Sequence, residues 1–232
     1  MPDSSWTAPI DLYCERLDPG FWAEPLNAVS NASFILAGLA ALAMLRRIGR
    51  PDRPALALVG VTFAVGTGSF LFHTFANRWA SLADVIPIAA FIHGYLCLAL
   101  ARFAGWPAWG ALLGTVAFAA LAANVGALAA VLVGLEAVAA SRGSIGYVPA
   151  LLALALVGGA LVAFGREART GAAGRSLLVA AAVFALSLAF RTADLPACGA
   201  VPTGTHFLWH ALNGVVLFIL LRAAILHRRR LR

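Results

Sequence analysis

Charged residues are scarce in this sequence: they make up 12% of 232 residues, while 62% are hydrophobic. Mean hydropathy is +0.88. A water-soluble domain cannot hide that much apolar surface, whereas several helices in lipid need not hide it. Glycine-rich nucleotide-binding patterns of the Rossmann or P-loop kind are missing. A signal peptide is missing too, since the first stretch is polar and acidic, with Asp3, Asp11, Glu15, Asp18 and Glu24. Net charge is +7, but the arginines gather at the ends of apolar segments and in the run His227-Arg228-Arg229-Arg230. That placement suits anionic phospholipid and control of topology, and argues against a nucleic acid partner. The composition is that of an integral membrane protein.

A span of roughly 30 Å of hydrocarbon needs about 20 apolar residues. Segments 26–45, 55–75, 82–102, 145–164, 176–190 and 205–226 qualify. Region 107–140 is apolar throughout and can hold one span plus a short extra piece, or two spans. Loop charge decides between these. With the N-terminus outside, the arginines of 46–53 fall inside. One span in 107–140 then keeps Arg166, Arg169, Arg175 and the basic tail inside as well, whereas two spans would expose them against the positive-inside bias. The sequence therefore predicts an all-α polytopic protein of seven transmembrane helices, with segment 125–141, including Glu136, re-entrant or lying on the external surface. An external acidic segment, 1–25, precedes the helical domain, 26–226, and a basic cytoplasmic tail, 227–232, follows it.

This topology gathers chemistry at one face. His206 and His210 lie four residues apart in Thr205-His206-Phe207-Leu208-Trp209-His210, so a helix turns both imidazoles the same way. His73 ends the second span, and Asp84 begins the third, at the same side. Ionisable groups at membrane depth are expensive and need a reason, and a metal supplies one. Three imidazoles with an open fourth position suit catalytic zinc. Asp84 is then a carboxylate beside the metal, ligand or general base, against the plainer role of a helix N-terminal acid. Ser69 stands one turn before His73 and could serve a developing oxyanion or bond back to its own helix. Gly66 and Gly68 read as packing notches.

Other polar groups carry less. His93 lies nine residues past Asp84 and is expected to make an interhelical hydrogen bond, and His227 belongs to the basic tail. Arg191 and Asp194 are expected to form an ion pair at the outer rim. Cys97 is mid-helix packing. Cys14 and Cys198 share the outer face, where an oxidising compartment would allow a disulfide. Asp11, Glu15, Asp18 and Glu24, close together around Pro19-Gly20, either form a solvated segment or furnish oxygens for calcium, although their spacing is not that of an EF-hand loop.

Taken jointly, these motifs resemble the alkaline ceramidase family, within a wider group of seven-helix membrane hydrolases that includes the adiponectin-receptor type. The matching pieces are Tyr13-Cys14-Glu15, Glu24 with Asn27, Ser30-Asn31, Gly68-Ser69 with Phe72-His73, Asp84 with Pro87, Asp194 with Cys198, and His206-Phe207 with Trp209-His210. They run in family order across nearly the whole chain. The resemblance implies zinc on His73, His206 and His210, with Asp84 and Ser69 beside a metal-bound water. It also implies a Cys14–Cys198 disulfide and a calcium site among the N-terminal acids. The chain departs from the family at that last site: Leu12 and Leu17 stand where an acid and an asparagine are usual, and Asp11 and Asp18 lie one residue further out. A calcium site here would use a shifted ligand set, with Glu15 and Glu24 carried over most directly.

The function expected from these residues and this resemblance is zinc-dependent intramembrane hydrolysis of ceramide or a related N-acyl lipid. Membrane lipids are the other partners, and no obligatory protein partner is evident. The alternative is a seven-helix lipid-binding or receptor protein whose zinc is structural. Compact loops and arginine-flanked helices suggest a bacterial inner membrane, with the site on its periplasmic side.

Overall fold

The computed structural model describes residues 5–49 and 51–227. The described residues form ten α-helices and no strand: α1 (Pro25–Ser30), α2 (Ala32–Ile48), α3 (Arg53–Phe75), α4 (Arg78–Arg102), α5 (Ala108–Ala123), α6 (Val125–Val133), α7 (Leu135–Ala140), α8 (Val148–Phe164), α9 (Ala168–Ala197) and α10 (His206–Leu226). Six helical stretches are long and apolar enough to cross a membrane: Pro25–Ile48, α3, α4, Ser144–Phe164, α9 and α10. α5 and α6 add a seventh if the pair, bent by 51°, is one broken span. In lipid every backbone group must bond internally, so helices of this length are the form such a sequence takes. The chain is an integral membrane protein.

Helix ends follow local chemistry. Asp52 caps α3 by accepting from the Ala55 N–H, with Pro54 in the first turn, where its missing N–H costs nothing. Asn77 caps α4 by accepting from Ala80. α3 and α4 are thus joined through two residues, Ala76 and Asn77, and Ala76 takes a left-handed φ of 42° to make the turn. The N-terminal segment docks on this turn, with the Ile10 N–H donating to the Ala76 carbonyl at 2.7 Å.

Two boundaries differ from those read in the sequence. α4 starts at Arg78 rather than residue 82, which puts Asp84 in its second turn and not at its start. α9 runs for 30 residues, from Ala168 to Ala197, against an expected 176–190. Charged residues interrupt the hydropathy there but not the helix, because each added residue satisfies its own backbone bond and long side chains can reach out of the lipid. In region 107–140 the polypeptide turns at Asn124, continues as α6, and ends in the short α7. Val131, Leu132 and Leu135 of this portion are exposed. Arg50 and the basic tail after His227 lie outside the described residues.

Small residues set the helix spacing, as expected where lipid tails compete equally for apolar side chains. α8 and α9 meet at Gly158 and Gly174, where a Cβ on either would come within 3.0 Å of the other's carbonyl oxygen. α3 meets α4 at Gly68, which lies against the Ala83 backbone. At the opposite end of the bundle Arg102 grips Asp52 through two bonds of 2.9 Å and donates to the Ala224 carbonyl at 2.7 Å. This bidentate pair ties α4 to the start of α3 and to the end of α10.

The Gly68 contact is directly testable. Gly68→Ala has no room for its methyl and is expected to destabilise the protein by about 1–3 kcal/mol. Gly60→Ala, on the same helix with nothing within 4 Å, is expected to be neutral or to stabilise by about 0.5–1 kcal/mol. Thermal unfolding of the two variants in detergent separates these outcomes.

Candidate metal centre

The three histidines singled out in the sequence do converge. His73 sits in the last turn of α3, His206 at the first position of α10 and His210 one turn further on, each about 1% exposed. Their ring centroids are 5.2 Å (His73–His206), 4.7 Å (His73–His210) and 4.6 Å (His206–His210) apart. Each offers a nitrogen, and these atoms lie within 4.8 Å of one another.

Their surroundings decide which nitrogens are available. His73 Nδ1 pairs with Glu24 Oε2 at 2.6 Å, leaving Nε2 buried with no protein partner. His210 Nδ1 pairs with the Ser30 hydroxyl at 2.8 Å. His206 Nδ1 is buried without a partner. A buried polar atom with nothing to bond is costly. Here two such nitrogens occur within one cluster, and no imidazole bonds another. A metal ion resolves that cost, so the residues present fit one. Three neutral imidazoles are the donor set of a zinc site with an open position.

The outer end of the triad is covered by the N-terminal segment. The Tyr13 ring stacks on His206 at 3.8 Å between centroids and lies 5.1 Å from His73. Burial pushes the Tyr13 phenol well above its ordinary pKa, so it stays protonated. A disulfide joins Cys14 to Cys198, with Cα atoms 5.6 Å apart, and fastens this segment to the end of α9. Asp194 fastens it again. Its carboxylate accepts the backbone N–H of Cys14 at 3.0 Å, Thr205 at 2.7 Å and His206 at 2.9 Å. It thereby caps the helix that carries two of the three histidines. Gly204, at φ 65°, packs so closely on Asp194 and Cys14 that no Cβ fits.

Asp84 and Ser69 face each other across the α3–α4 contact. Ser69 and His73 both lie close enough to influence the Asp84 carboxylate. Asp84 Oδ1 is buried without a partner. Asp84 is not in the set of mutually close ligand atoms, which comprises the three histidines alone among the described residues.

Other expectations fare differently. Arg191 and Asp194 do not pair. Arg191 donates to the Arg142 carbonyl and the Ser144 hydroxyl and lies over the Tyr147 and Trp209 rings, while Asp194 points back to the N-terminal segment. Residues three apart on a helix turn side chains to neighbouring faces, but each of these two finds its partners on other segments. His93 makes no interhelical bond: Nδ1 bonds its own helix at Ala89 O, 2.6 Å away, and the ring meets Phe118 edge-on.

The four N-terminal acids do not gather into one cluster. Glu15 accepts the N–H groups of Leu26 and Asn27 at the start of α1, at 2.7 and 2.8 Å. Burial holds its pKa above the usual range despite those bonds. Asp18 Oδ1 accepts from Gly20, and Asp11 is exposed. Glu24 is buried and bonded to Arg16, His73 and Asn27. Burial alone would raise the Glu24 pKa, but the His73 and Arg16 bonds outweigh it and hold the carboxyl below its ordinary value. Arg16 was not singled out in the sequence, where a basic residue among acids reads as a solvated charge. No spacing in the sequence marks it, because its burial depends on how the N-terminal segment folds back.

No protein-family model matches the chain, and no curated protein matches it either. The class therefore rests on the structure itself: a helical integral membrane protein with a buried three-histidine cluster at one end.

Two measurements follow. Protein purified in detergent is expected to retain a transition metal, and His73→Ala, His206→Ala and His210→Ala are each expected to lose it in elemental analysis. Asp194→Ala strands buried N–H groups and is expected to cost on the order of 3 kcal/mol in thermal unfolding. An unchanged melting point would remove Asp194 from the support of α10.

Proposed function

We propose that the protein is a zinc-dependent intramembrane amidase, resembling the alkaline ceramidases, that cleaves ceramide or a related N-acyl lipid into a sphingoid base or other amine and a fatty acid. The observation that carries this reading is an apolar cavity that adjoins the triad through Phe34 and Trp209. It is lined by residues such as Phe34, Phe91, Trp209 and Leu220. Phe34 also lies edge-on to His210 at 6.2 Å. Along α4 the lining runs from Ile88 to Ala99, a depth of about 16 Å at 1.5 Å per residue. Hydrocarbon fits such a space, and a reactive headgroup amide would sit at its triad end.

Bound by His73, His206 and His210, zinc supplies Lewis-acid polarisation and a water whose pKa falls to about 7. The remaining steps belong to the protein. Asp84 accepts a proton from the attacking water as the oxygen–carbon bond forms. Ser69 follows Gly68 at the close α3–α4 contact and stands beside the Asp84 carboxylate. The Ser69 hydroxyl donates to the oxyanion of the tetrahedral intermediate. Asp84 then returns the proton to the nitrogen as the carbon–nitrogen bond breaks. The second proton of the water follows to the amine, so the fatty acid leaves as a carboxylate and the base as an ammonium.

A structural metal in a lipid-binding protein would call for a closed site with a fourth protein ligand, whereas among the described residues the mutually close donors number three. In the membrane, we place α5 and α6 as one bent span, giving seven. The arginine-bearing ends, with Arg46, Arg47, Arg102, Arg169 and Arg175, then face the cytoplasm. The triad faces the oxidising side that a Cys14–Cys198 disulfide favours, which in a bacterial inner membrane is the periplasm. Calcium among the N-terminal acids is not needed for any of these steps.

Purified protein incubated with a panel of N-acyl lipids tests the reading. Asp84→Asn is expected to lower turnover by at least about 100-fold while zinc content stays at the wild-type level. Turnover that persists after zinc is stripped by a chelator would sink the proposal.

A further inference from the structure

The N-terminal acids sit beside a cation that belongs to the chain. Arg16 is buried, with its side chain 6% exposed, and its guanidinium is surrounded by oxygen. Nε donates to Glu24 Oε1 at 2.5 Å, Nη1 to the carbonyls of Asp18 at 3.1 Å and Gly20 at 3.4 Å, and Nη2 to the His73 carbonyl at 3.0 Å. Backbone carbonyls and a carboxylate converging on one point are what a divalent cation would recruit. Here the point is filled by the planar fork of an arginine, whose donors are fixed in direction and whose charge is permanent.

Two of these contacts end on one residue. Arg16 holds the backbone of His73 directly, and it holds the ring through Glu24, whose other oxygen bonds His73 Nδ1 at 2.6 Å. A carboxylate on the far nitrogen of a metal-binding histidine sets the tautomer and the tilt of the ring. Asn27 Nδ2 adds a bond to that same Glu24 oxygen at 3.0 Å. Without Arg16, Glu24 would be a buried carboxylate with less to hold its charge or its direction.

We infer that Arg16 is a built-in cation that replaces a bound divalent ion in the N-terminal cap and acts, through Glu24 and the His73 carbonyl, as the residue that positions His73 for metal binding. This inference rests on the triad being a metal site. It assigns a role to a side chain that touches neither metal nor substrate, and it makes the cap independent of external calcium.

The test uses the full chain in detergent, as wild type, Arg16→Gln and Arg16→Lys. Zinc affinity is measured by competition with a chromophoric chelator, and ring geometry by the visible spectrum of the cobalt-substituted protein. Arg16→Gln is expected to weaken zinc binding about 10- to 100-fold and to alter the cobalt spectrum. Arg16→Lys, which keeps the charge but not the fork, is expected to recover part of the affinity. Added calcium is expected to leave the wild-type melting temperature unchanged.

If Arg16→Gln fails to fold, Arg16→Lys decides alone: zinc affinity equal to wild type in the lysine variant would overturn the positioning role. So would a folded glutamine variant with undiminished affinity and an unchanged cobalt spectrum. A wild-type melting temperature that rises with calcium would overturn the replacement of a bound ion. A wild type that binds neither zinc nor cobalt overturns the metal reading itself, an outcome distinct from the others because it appears before any variant is compared.

Discussion

Asp194 is the contact on which the metal end of the molecule depends. One buried carboxylate near the end of α9 accepts backbone N–H groups from the N-terminal segment, from the loop before α10 and from the first residue of α10. A carboxylate in apolar surroundings costs several kcal/mol unless its oxygens are bonded. Here they are, by donors that would otherwise be orphaned themselves. The arrangement fixes the height and rotation of His206, and through one helical turn that of His210. The disulfide between Cys14 and Cys198 ties the N-terminal segment covalently to the end of α9, the helix that carries Asp194, so geometry and connectivity reinforce each other.

The two ends of the bundle solve the same electrostatic problem differently. At the arginine-rich end, Arg102 and Asp52 neutralise each other in a bidentate pair with the Asp52 side chain 3% exposed. Among the described residues, none of the buried polar atoms without a partner belongs to this pair or to the helix ends it joins. At the triad end, Glu24 and Asp194 satisfy helix ends and ring nitrogens, yet His73 Nε2, His206 Nδ1 and Asp84 Oδ1 remain unpaired. Native proteins seldom leave buried polar atoms idle, and clusters of them mark places where a further atom belongs. Stability is complete at one end and withheld at the other, the asymmetry expected of a functional site.

Much of this was legible in the sequence, for identifiable reasons. Apolar length marks helices strongly, and the i, i+4 spacing of His206 and His210 places two rings on one face whatever surrounds them. The partnership with His73 came from the alternation of spans, which needs only the order of segments and their charges. The length of α9 was not legible, because Arg169, Arg175, Arg191 and Asp194 break its hydropathy while leaving its hydrogen bonding intact. The partners of Arg191, Asp194 and His93 were also hidden. Each side chain chose between a neighbour on its own helix and a distant carbonyl, ring or N–H, and spacing does not rank those. Arg16 was hidden for a related reason: burial of a charge depends on a fold-back of the chain that composition does not report.

The position of the triad relative to the cavity constrains the chemistry. A site deep in hydrocarbon would hold a lipid chain easily but would lack water, and a site in the aqueous layer would have water but no grip on the chain. His73, His206 and His210 lie at helix ends, beneath Tyr13 and above a cavity walled by Phe34, Trp209 and the inward face of α4. A lipid whose scissile amide sits at the junction of headgroup and tail would place that amide at the triad with its hydrocarbon below. Hydrolysis also needs a base that is not consumed by pairing. Asp84 suits that proposed role because its Oδ1 is buried without a partner. Ester and amide lipids would both reach this point, but only the amide has a leaving nitrogen that must be protonated before it departs. A carboxylate able to receive a proton and return it suits the amide, which is why the reading favours N-acyl lipids over their ester counterparts.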